Sequence, residues 1–186
     1  MTLRGRKDVL CVIEQKLRAL SGAGRGGYLF LLGAPGIGKS SILDAWEATR
    51  PANEGDFYES VSFKSKNVAR HGTLLRDAVA KSFARDFAAI PAADDPQAEL
   101  EEGLRRIAEK RLGGRGRYWI RLSGCHALQI PLDSILQPNL PPGVFLLTSM
   151  THAMFDSLAA GIDAAQIDLD QPAFEESARE ACELYW

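Results

Sequence analysis

One stretch of the sequence combines glycine, lysine and serine at a spacing that suits phosphate chemistry. Residues 33–40 read GAPGIGKS, which fits the pattern G-x-x-x-x-G-K-[ST]. Gly36 and Gly38 can adopt backbone conformations closed to other residues, so that successive N–H groups point into one concavity. Lys39 would reach the β- and γ-phosphates of a nucleotide, and the Ser40 hydroxyl would be a magnesium ligand. The stretch therefore predicts a phosphate-binding loop.

The sequence on either side of this loop predicts the elements that hold it. Residues 28–32, YLFLL, form a short apolar run that is typical of a buried parallel strand. The residues after the loop continue as a helix, whose unpaired N-terminal N–H groups and positive dipole end face the same anion. That helix is indicated by Ser41, Ile42, Leu43, Ala45 and Trp46. Because the pattern requires this context, we interpret it as a binding loop rather than a glycine-rich turn that matches by chance.

Apolar spacing in the rest of the chain predicts helices that alternate with strands. The predicted helices cover residues 7–20, 73–87, about 100–107 and 172–186, and the further strands cover 57–63, 117–122, 144–149 and 165–170. Such alternation favours an α/β protein with a parallel sheet that helices cover on both faces.

Length and composition indicate one globular domain over residues 1–186. Hydrophobic residues make up 46% of the chain and charged residues 25%, which is ordinary for a globular protein. No apolar run approaches the ~20 residues of a membrane span, and MTLRGRKDVL lacks the apolar core of a signal peptide. Cys11, Cys125 and Cys182 are widely separated, which suits free thiols. We therefore expect a cytoplasmic protein without a membrane partner, and the net charge of −2 gives no general attraction to nucleic acid.

Several stretches, taken in order, resemble the nucleotide-binding core of the STAND class of P-loop NTPases, the NB-ARC and NACHT type found in signalling and immune regulators. LRGRKDVLCVIEQKL resembles the leading helix of that family, which packs over the adenine, and GAPGIGKSSIL resembles its phosphate loop. FYESVSFKSKNVARHGTLLRDAVAKSFARDF resembles the second strand and the following helix, and LPPGVFLLTSM resembles the fourth strand. The resemblance covers nearly the whole chain.

The resemblance implies a three-layer P-loop sandwich with a five-stranded parallel sheet in the order 5-1-4-3-2. It implies ATP or ADP as the ligand, with Mg²⁺ at Ser40 and with Arg6 on the adenine side of the pocket. The expected nucleotide-binding residues are Arg6, Gly33, Pro35, Gly36, Ile37, Gly38, Lys39, Ser40 and Ser41. In the family a helical lid and a winged-helix domain follow the core, and we expect them to be absent or truncated here. Protein partners or self-association are expected of a regulator of this type.

The chain departs from the family at the positions that would support hydrolysis. The third strand of the family ends in acidic residues, whereas this chain reads YWIRLSGCHALQI. If Gly124 matches the family glycine, Ser123 replaces the metal-polarising aspartate, and His126 and Ala127 replace the acidic residues that orient water. Met150 replaces the fourth-strand arginine that senses the γ-phosphate. Because phosphoryl transfer depends on positioning and electrostatics, we predict weakly held Mg²⁺ and weak or no hydrolysis.

Four aspartates could supply a carboxylate from elsewhere in the chain. None of them directly follows the third predicted strand, and charges at turns and strand ends are commonly just solvated. The four are Asp133, Asp156, Asp168 and Asp170.

Two further features allow other chemistry. Cys125, His126 and His152 could form a dyad or bind a metal if the third and fourth strand ends are neighbours, although they lack the close-spaced ligand pairs of zinc sites. The basic stretch RRIAEKRLGGRGRYWIR could contact nucleic acid or the phosphate of a neighbouring subunit, or it could be a solvated helix end and loop.

Three hypotheses for the function follow. We favour a nucleotide-binding regulatory module of a STAND-type signalling or defence protein, with no assigned catalytic residue. The second hypothesis is an active ATPase whose acidic residue comes from elsewhere in the chain or from a partner subunit. The third is an interaction domain in which the phosphate loop is vestigial.

Overall fold

The computed structural model describes residues 4–22, 24–49, 55–64, 70–90, 95–128, 130–137, 139–159 and 162–170, with the backbone alone for 4–8, 133 and 158. The helices are α1 (Arg4–Gly22), α2 (Lys39–Thr49), α3 (His71–Ser82), α4 (Ala84–Phe87), α5 (Pro96–Ile107) and α6 (His152–Leu158). The strands are β1 (Gly27–Leu32), β2 (Phe57–Ser62), β3 (Tyr118–Ser123), β4 (Val144–Met150) and β5 (Ala164–Asp168). Among these helices, none has both the length and the apolar character needed to cross a membrane.

The strands form one five-stranded sheet in the order β2-β3-β4-β1-β5. Every strand pair is parallel. Read from the β5 edge, the order is 5-1-4-3-2. The α/β class and the five-stranded parallel sheet predicted from the sequence are therefore confirmed.

Each face of the sheet buries an apolar core, because the side chains of a buried strand alternate between the two faces. In β1, Phe30 and Leu32 join the core under α3, α5 and α6, whereas Leu29 and Leu31 join the core under α1 and α2. These four side chains are at most 2% exposed, and burial of each contributes about 1.5–3 kcal/mol. Helices therefore cover both faces, and β1 is held from both sides.

The predicted helix over residues 73–87 is wrong as one continuous element, because the structure divides it into α3 and α4 at Phe83. The backbone of Phe83 has φ −123° and ψ 45°, outside the helical region. Its ring centroid lies 5.1 Å from those of Phe57 and Tyr118, in edge-to-face contacts. Packing of this aromatic side chain onto the sheet accompanies the break.

Helix α6 was not expected from apolar spacing, because its seven residues are too few to show a helical period. It begins after Thr151, whose Oγ1 accepts a hydrogen bond from the backbone N–H of Met154 at 3.3 Å. The predicted strand at 165–170 ends two residues early, at Asp168. The predicted helix at 172–186 lies outside the described residues.

The carboxyl ends of the strands meet at one edge of the sheet, where ligands of open α/β proteins commonly bind. Leu32, the last residue of β1, is paired with Met150 of β4 on one side and with Asp168 of β5 on the other. The loop that follows Leu32 is therefore flanked by the ends of β4 and β5.

Candidate functional site

The loop between β1 and α2 has the backbone that its glycines permit. Gly36 and Gly38 have φ of 82° and 97°, a region that L side chains rarely adopt. In the described part of the chain, no heavy atom beyond the adjacent residues lies within 4 Å of a Cβ built at either glycine. At Gly33 a Cβ would lie 3.4 Å from the Leu169 Cβ and 3.5 Å from an Asp170 carboxylate oxygen. The loop is thus packed against the end of β5 at its start and is open around its later glycines.

Lys39 folds back over the loop from the first position of α2. Its Nζ donates hydrogen bonds to the carbonyl oxygens of Gly33 and Ala34, both at 2.7 Å. Partial burial lowers the pKa of Lys39, and the negative charge of Asp170 opposes that effect. The ammonium group therefore lies over the loop, where its hydrogen bonds are made to two carbonyl oxygens. A phosphate could replace these oxygens as the acceptor.

The other predicted loop residues lie around this ammonium group. Pro35, Ile37 and Ser40 are exposed, and Ser41 is half-buried at the start of α2. The first turn of α2 is closed by the backbone N–H of Ile42, which donates to the Gly38 carbonyl at 3.0 Å. The Ser40 hydroxyl is thus accessible to a cation.

Arg6, the residue predicted on the adenine side, lies in the first turns of α1. Its side chain is outside the described residues. Its predicted role therefore stays a prediction.

The face of β3 that looks toward α2 carries a cation rather than a carboxylate. Arg121 is 12% exposed in its side chain and pairs with Asp44 and Glu47, with 2.5 Å from Nη2 to Oδ1 and 2.8 Å from Nη1 to Oε2. Burial alone would lower the pKa of Arg121, but the two carboxylates outweigh it and raise that pKa. Nη2 also lies 3.5 Å from the Ser40 carbonyl. This arginine ties β3 to the first turns of the helix that follows the loop.

The residues at and just after the end of β3 carry hydroxyl, imidazole and methyl groups rather than carboxylates. Ser123 is half-buried and donates to the Val61 carbonyl at 3.4 Å. His126 is exposed and Ala127 is half-buried, both in a 3₁₀ turn that follows β3. None of these three side chains carries the carboxylate that would hold a metal hydration shell.

Met150 is an apolar core residue at the position where the resemblance places a phosphate-sensing arginine. It is 2% exposed and belongs to the core under α3, α5 and α6. Its side chain therefore provides neither charge nor a donor to a phosphate.

The structure does not bring Cys125, His126 and His152 together, so the possible dyad or metal site that they suggest is wrong. Cys125 is buried, with its Sγ 3.2 Å from the Thr148 Oγ1, and burial raises the pKa of its thiol. His126 is exposed on the 3₁₀ turn. His152 pairs instead with two aspartates at the end of β5. Cysteine chemistry at this edge has no geometric support.

The three side chains of His152, Asp168 and Asp170 form a compact group beside the loop. The His152 Nε2 lies 3.1 Å from the Asp168 Oδ1 and 3.5 Å from an Asp170 carboxylate oxygen. Asp170 is also the carboxylate that approaches Gly33 and Lys39. Of the four alternative aspartates, Asp170 thus reaches the loop, and Asp168 lies next to it at the end of β5. Of the other two, Asp156 is exposed on α6, and the side chain of Asp133 is outside the described residues.

The basic stretch before β3 carries many of its own counter-ions. Arg105 and Arg106 both pair with Glu102, and Arg111 Nε lies 2.9 Å from the Asp86 Oδ2. These pairs reduce the positive charge that the helix end presents to a phosphate backbone. The structure therefore gives the nucleic-acid interpretation of this stretch no added support.

The contacts of two residues at the site could not be predicted from the sequence. Arg121 lies in the predicted third strand and ends the basic stretch, and a charged residue inside the apolar run YWIRL signals a partner on one face. Asp170 is one of the four alternative aspartates, but its approach to Lys39 depends on how residues 169–170 turn after β5. Which strand ends lie side by side in the sheet cannot be predicted from local sequence alone.

A scan of the chain against protein-family models finds no match, and a search among curated proteins finds no relative.

Proposed function

We propose that this chain is a nucleotide-binding regulatory module of the STAND type, which holds ATP or ADP and hydrolyses it slowly or not at all. The observation that carries the proposal is the loop itself. It joins β1 to α2, its glycines leave open space at Gly36 and Gly38, and Lys39 Nζ lies over it on two carbonyl oxygens. A glycine-containing loop that leads into a helix N-terminus and carries an ammonium group is suited to a polyphosphate.

The residues of the site are better suited to the phosphates of the nucleotide than to its Mg²⁺. The loop backbone and Lys39 would hold the β- and γ-phosphates, and the exposed Ser40 hydroxyl would contribute one ligand to Mg²⁺. At the end of β3, Ser123 brings no negative charge to a metal-bound water. We therefore expect firm phosphate binding and weakly held Mg²⁺.

Weak hydrolysis is expected for the same reason, because the end of β3 lacks the charged groups that catalysis needs. Catalysis of phosphoryl transfer needs groups that position water and stabilise charge in the transition state. Ser123, His126, Ala127 and Met150 supply no carboxylate, and Met150 supplies no cation at the position of the family arginine. Binding depends instead on the loop N–H groups and Lys39, which act in the ground state.

One observation favours the alternative of an active ATPase. Asp170 lies close enough to act on the charge of Lys39, and its carboxylate oxygen is 3.5 Å from a Cβ position at Gly33. A carboxylate there could orient a water from the β5 side of the loop rather than from β3. In this alternative, Asp170→Asn abolishes turnover.

The remaining parts of the proposal rest on the resemblance. It supports the P-loop sandwich as the fold, the contribution of Arg6 to the adenine side and a cytoplasmic signalling or defence role. It also supports protein partners or self-association. The net charge of −2 and the lack of a long apolar run, rather than the resemblance, argue against nucleic acid and membrane as ligands. Arg6→Ala should weaken nucleotide binding if Arg6 has this position.

Calorimetric titration with ATP and ADP in Mg²⁺ tests the proposal. We expect binding by the wild-type chain and a loss of at least about tenfold in affinity for Lys39→Ala, because a charge-assisted contact to phosphate is removed. Lys81→Ala is a matched control, since Lys81 lies in the last turn of α3, away from the loop. Absence of binding at millimolar nucleotide would contradict the proposal and leave the interaction-domain hypothesis.

A further inference from the structure

The group formed by His152, Asp168 and Asp170 has the composition and spacing of a metal-ligand set. Each residue offers one ligand atom, and the three atoms lie within 4.8 Å of one another. Among the described residues this is where three potential metal ligands of this kind converge. We propose that these three side chains bind a divalent transition-metal cation of the zinc or cobalt class.

The distances match what such a cation requires. Zinc bonds to imidazole nitrogen and carboxylate oxygen are about 2.0–2.2 Å long, so tetrahedral ligands lie about 3.4 Å from one another. The Nε2 of His152 is 3.1 Å from Asp168 Oδ1 and 3.5 Å from Asp170 Oδ2. These two distances are close to that spacing, and all three ligand atoms lie within 4.8 Å of one another, so that small side-chain shifts bring them onto one cation.

The donor set selects the class of metal. Mg²⁺ and Ca²⁺ prefer oxygen ligands throughout, whereas imidazole favours zinc and its first-row neighbours. One imidazole and two carboxylates leave at least one coordination position for water. The side chains are exposed by 45% for His152, 20% for Asp168 and 36% for Asp170, so a hydrated cation can reach all three.

The fold positions these ligands before any cation arrives. Asp168 is paired with Leu32 in the sheet, and the backbone N–H of Leu169 donates to the Leu32 carbonyl at 3.0 Å. Thr151 caps α6 and so fixes the backbone position of His152. Two of the three ligands thus lie on paired or capped backbone, which reduces the entropy lost on binding.

The charge balance around the group also favours a cation. Two carboxylates lie close together around the imidazole of His152. The ammonium of Lys39 acts on Asp170 through space, but it donates its hydrogen bonds to the carbonyls of Gly33 and Ala34. A divalent cation would neutralise the carboxylates directly, on the β5 side of the loop and apart from the Ser40 hydroxyl.

The test is a Co²⁺ titration of the full, nucleotide-free chain, followed by visible absorption, with Zn²⁺ used to displace the Co²⁺. We expect one cation per chain, no thiolate charge-transfer band, and a loss of affinity of at least about tenfold in His152→Gln and in Asp168→Asn. His126→Gln is the matched control and should bind as the wild type does, because His126 is exposed elsewhere on the chain.

Two measurements on the wild-type chain keep the test valid even if a variant misfolds. On the wild-type chain, Zn²⁺ should shift the ring resonances of one histidine and raise the unfolding midpoint by mass action. The proposal is overturned if millimolar Co²⁺ does not bind, if His152→Gln and Asp168→Asn bind as tightly as the wild type, or if Zn²⁺ leaves all histidine resonances in place. Because no nucleotide is present, these outcomes do not depend on the proposed function.

Discussion

The guanidinium of Arg121 in β3 contacts the carboxylate of Glu47 in α2, with 2.8 Å between Nη1 and Oε2. A second carboxylate, Asp44, pairs with the same guanidinium. This contact connects β3 to α2, the helix that follows the glycine-containing loop at residues 33–38.

We therefore expect Arg121→Met to lower the free energy of unfolding by about 1–2 kcal/mol, since two charge-assisted contacts are lost but Asp44 is largely exposed. Denaturant unfolding measures the change. Arg105→Met is the matched control, because Arg105 forms its pairs with Glu102 and Glu109 at the protein surface. Equal stability changes in the two variants would contradict a positioning role for Arg121.

Tyr118 and Tyr28 are both buried, but only one has a hydrogen-bond acceptor among the described residues. The Tyr28 hydroxyl donates to the Gln137 carbonyl at 2.6 Å, whereas that of Tyr118 has no hydrogen-bond partner in the described part of the chain. Tyr118→Phe should thus raise the free energy of unfolding at neutral pH by about 1 kcal/mol, and Tyr28→Phe should lower it by a similar amount. A loss of stability in both variants would contradict this assignment.

The same pair predicts how stability depends on alkaline pH. Burial raises the pKa of Tyr118, with Glu59 adding to the effect, and burial also raises that of Tyr28. Because the folded state favours the neutral phenol, this contribution is complete below the unfolded pKa of about 10 and is lost as the pH rises above it. The unfolding free energy of Tyr118→Phe should fall less steeply above that pH. Parallel profiles for variant and wild type would rule this out.

Asp170 places a negative charge beside the region proposed for phosphates. Its removal in Asp170→Asn should tighten ATP binding several-fold in Mg²⁺ without transition metals, since a like charge near the anion is lost. Asp163→Asn is the control, because Asp163 is exposed just before β5, at the opposite end of that strand. Weaker binding together with abolished hydrolysis would instead identify Asp170 as the carboxylate of an active ATPase.

The missing carboxylates suggest a gain-of-function variant. Ser123→Asp combined with Ala127→Glu should raise the rate of ATP cleavage while leaving affinity nearly unchanged, since the added charges act on metal and water rather than on the loop contacts. Phosphate release under saturating ATP measures the rate. Adding Lys39→Ala to the double variant gives the rate that does not depend on the loop. An unchanged rate with normal ATP binding would show that these positions do not account for the deficiency.

Much of the fold could be predicted because its signals are local. The apolar run before Gly33 and the glycines after it indicate a strand and a loop without reference to the rest of the chain. The break at Phe83 could not be predicted, because it accompanies aromatic packing against Tyr118, which is distant in the sequence. For the same reason, the neighbours of Arg121 and His152 became visible only once strands and helices were paired in space.

Rapid filtration of the wild-type chain with α-labelled ATP and Mg²⁺, followed by chromatographic separation of the retained ATP and ADP, tests the central claim most directly. One sample reports both how much nucleotide is held and how much has been cleaved. The account predicts retained, intact ATP, with cleavage slower by ~10³-fold or more than in phosphoryl-transfer enzymes that keep their charge-stabilising groups, and no retention by Lys39→Ala. Cleavage at about one per second that Lys39→Ala abolishes, or no retention by the wild type, would contradict it.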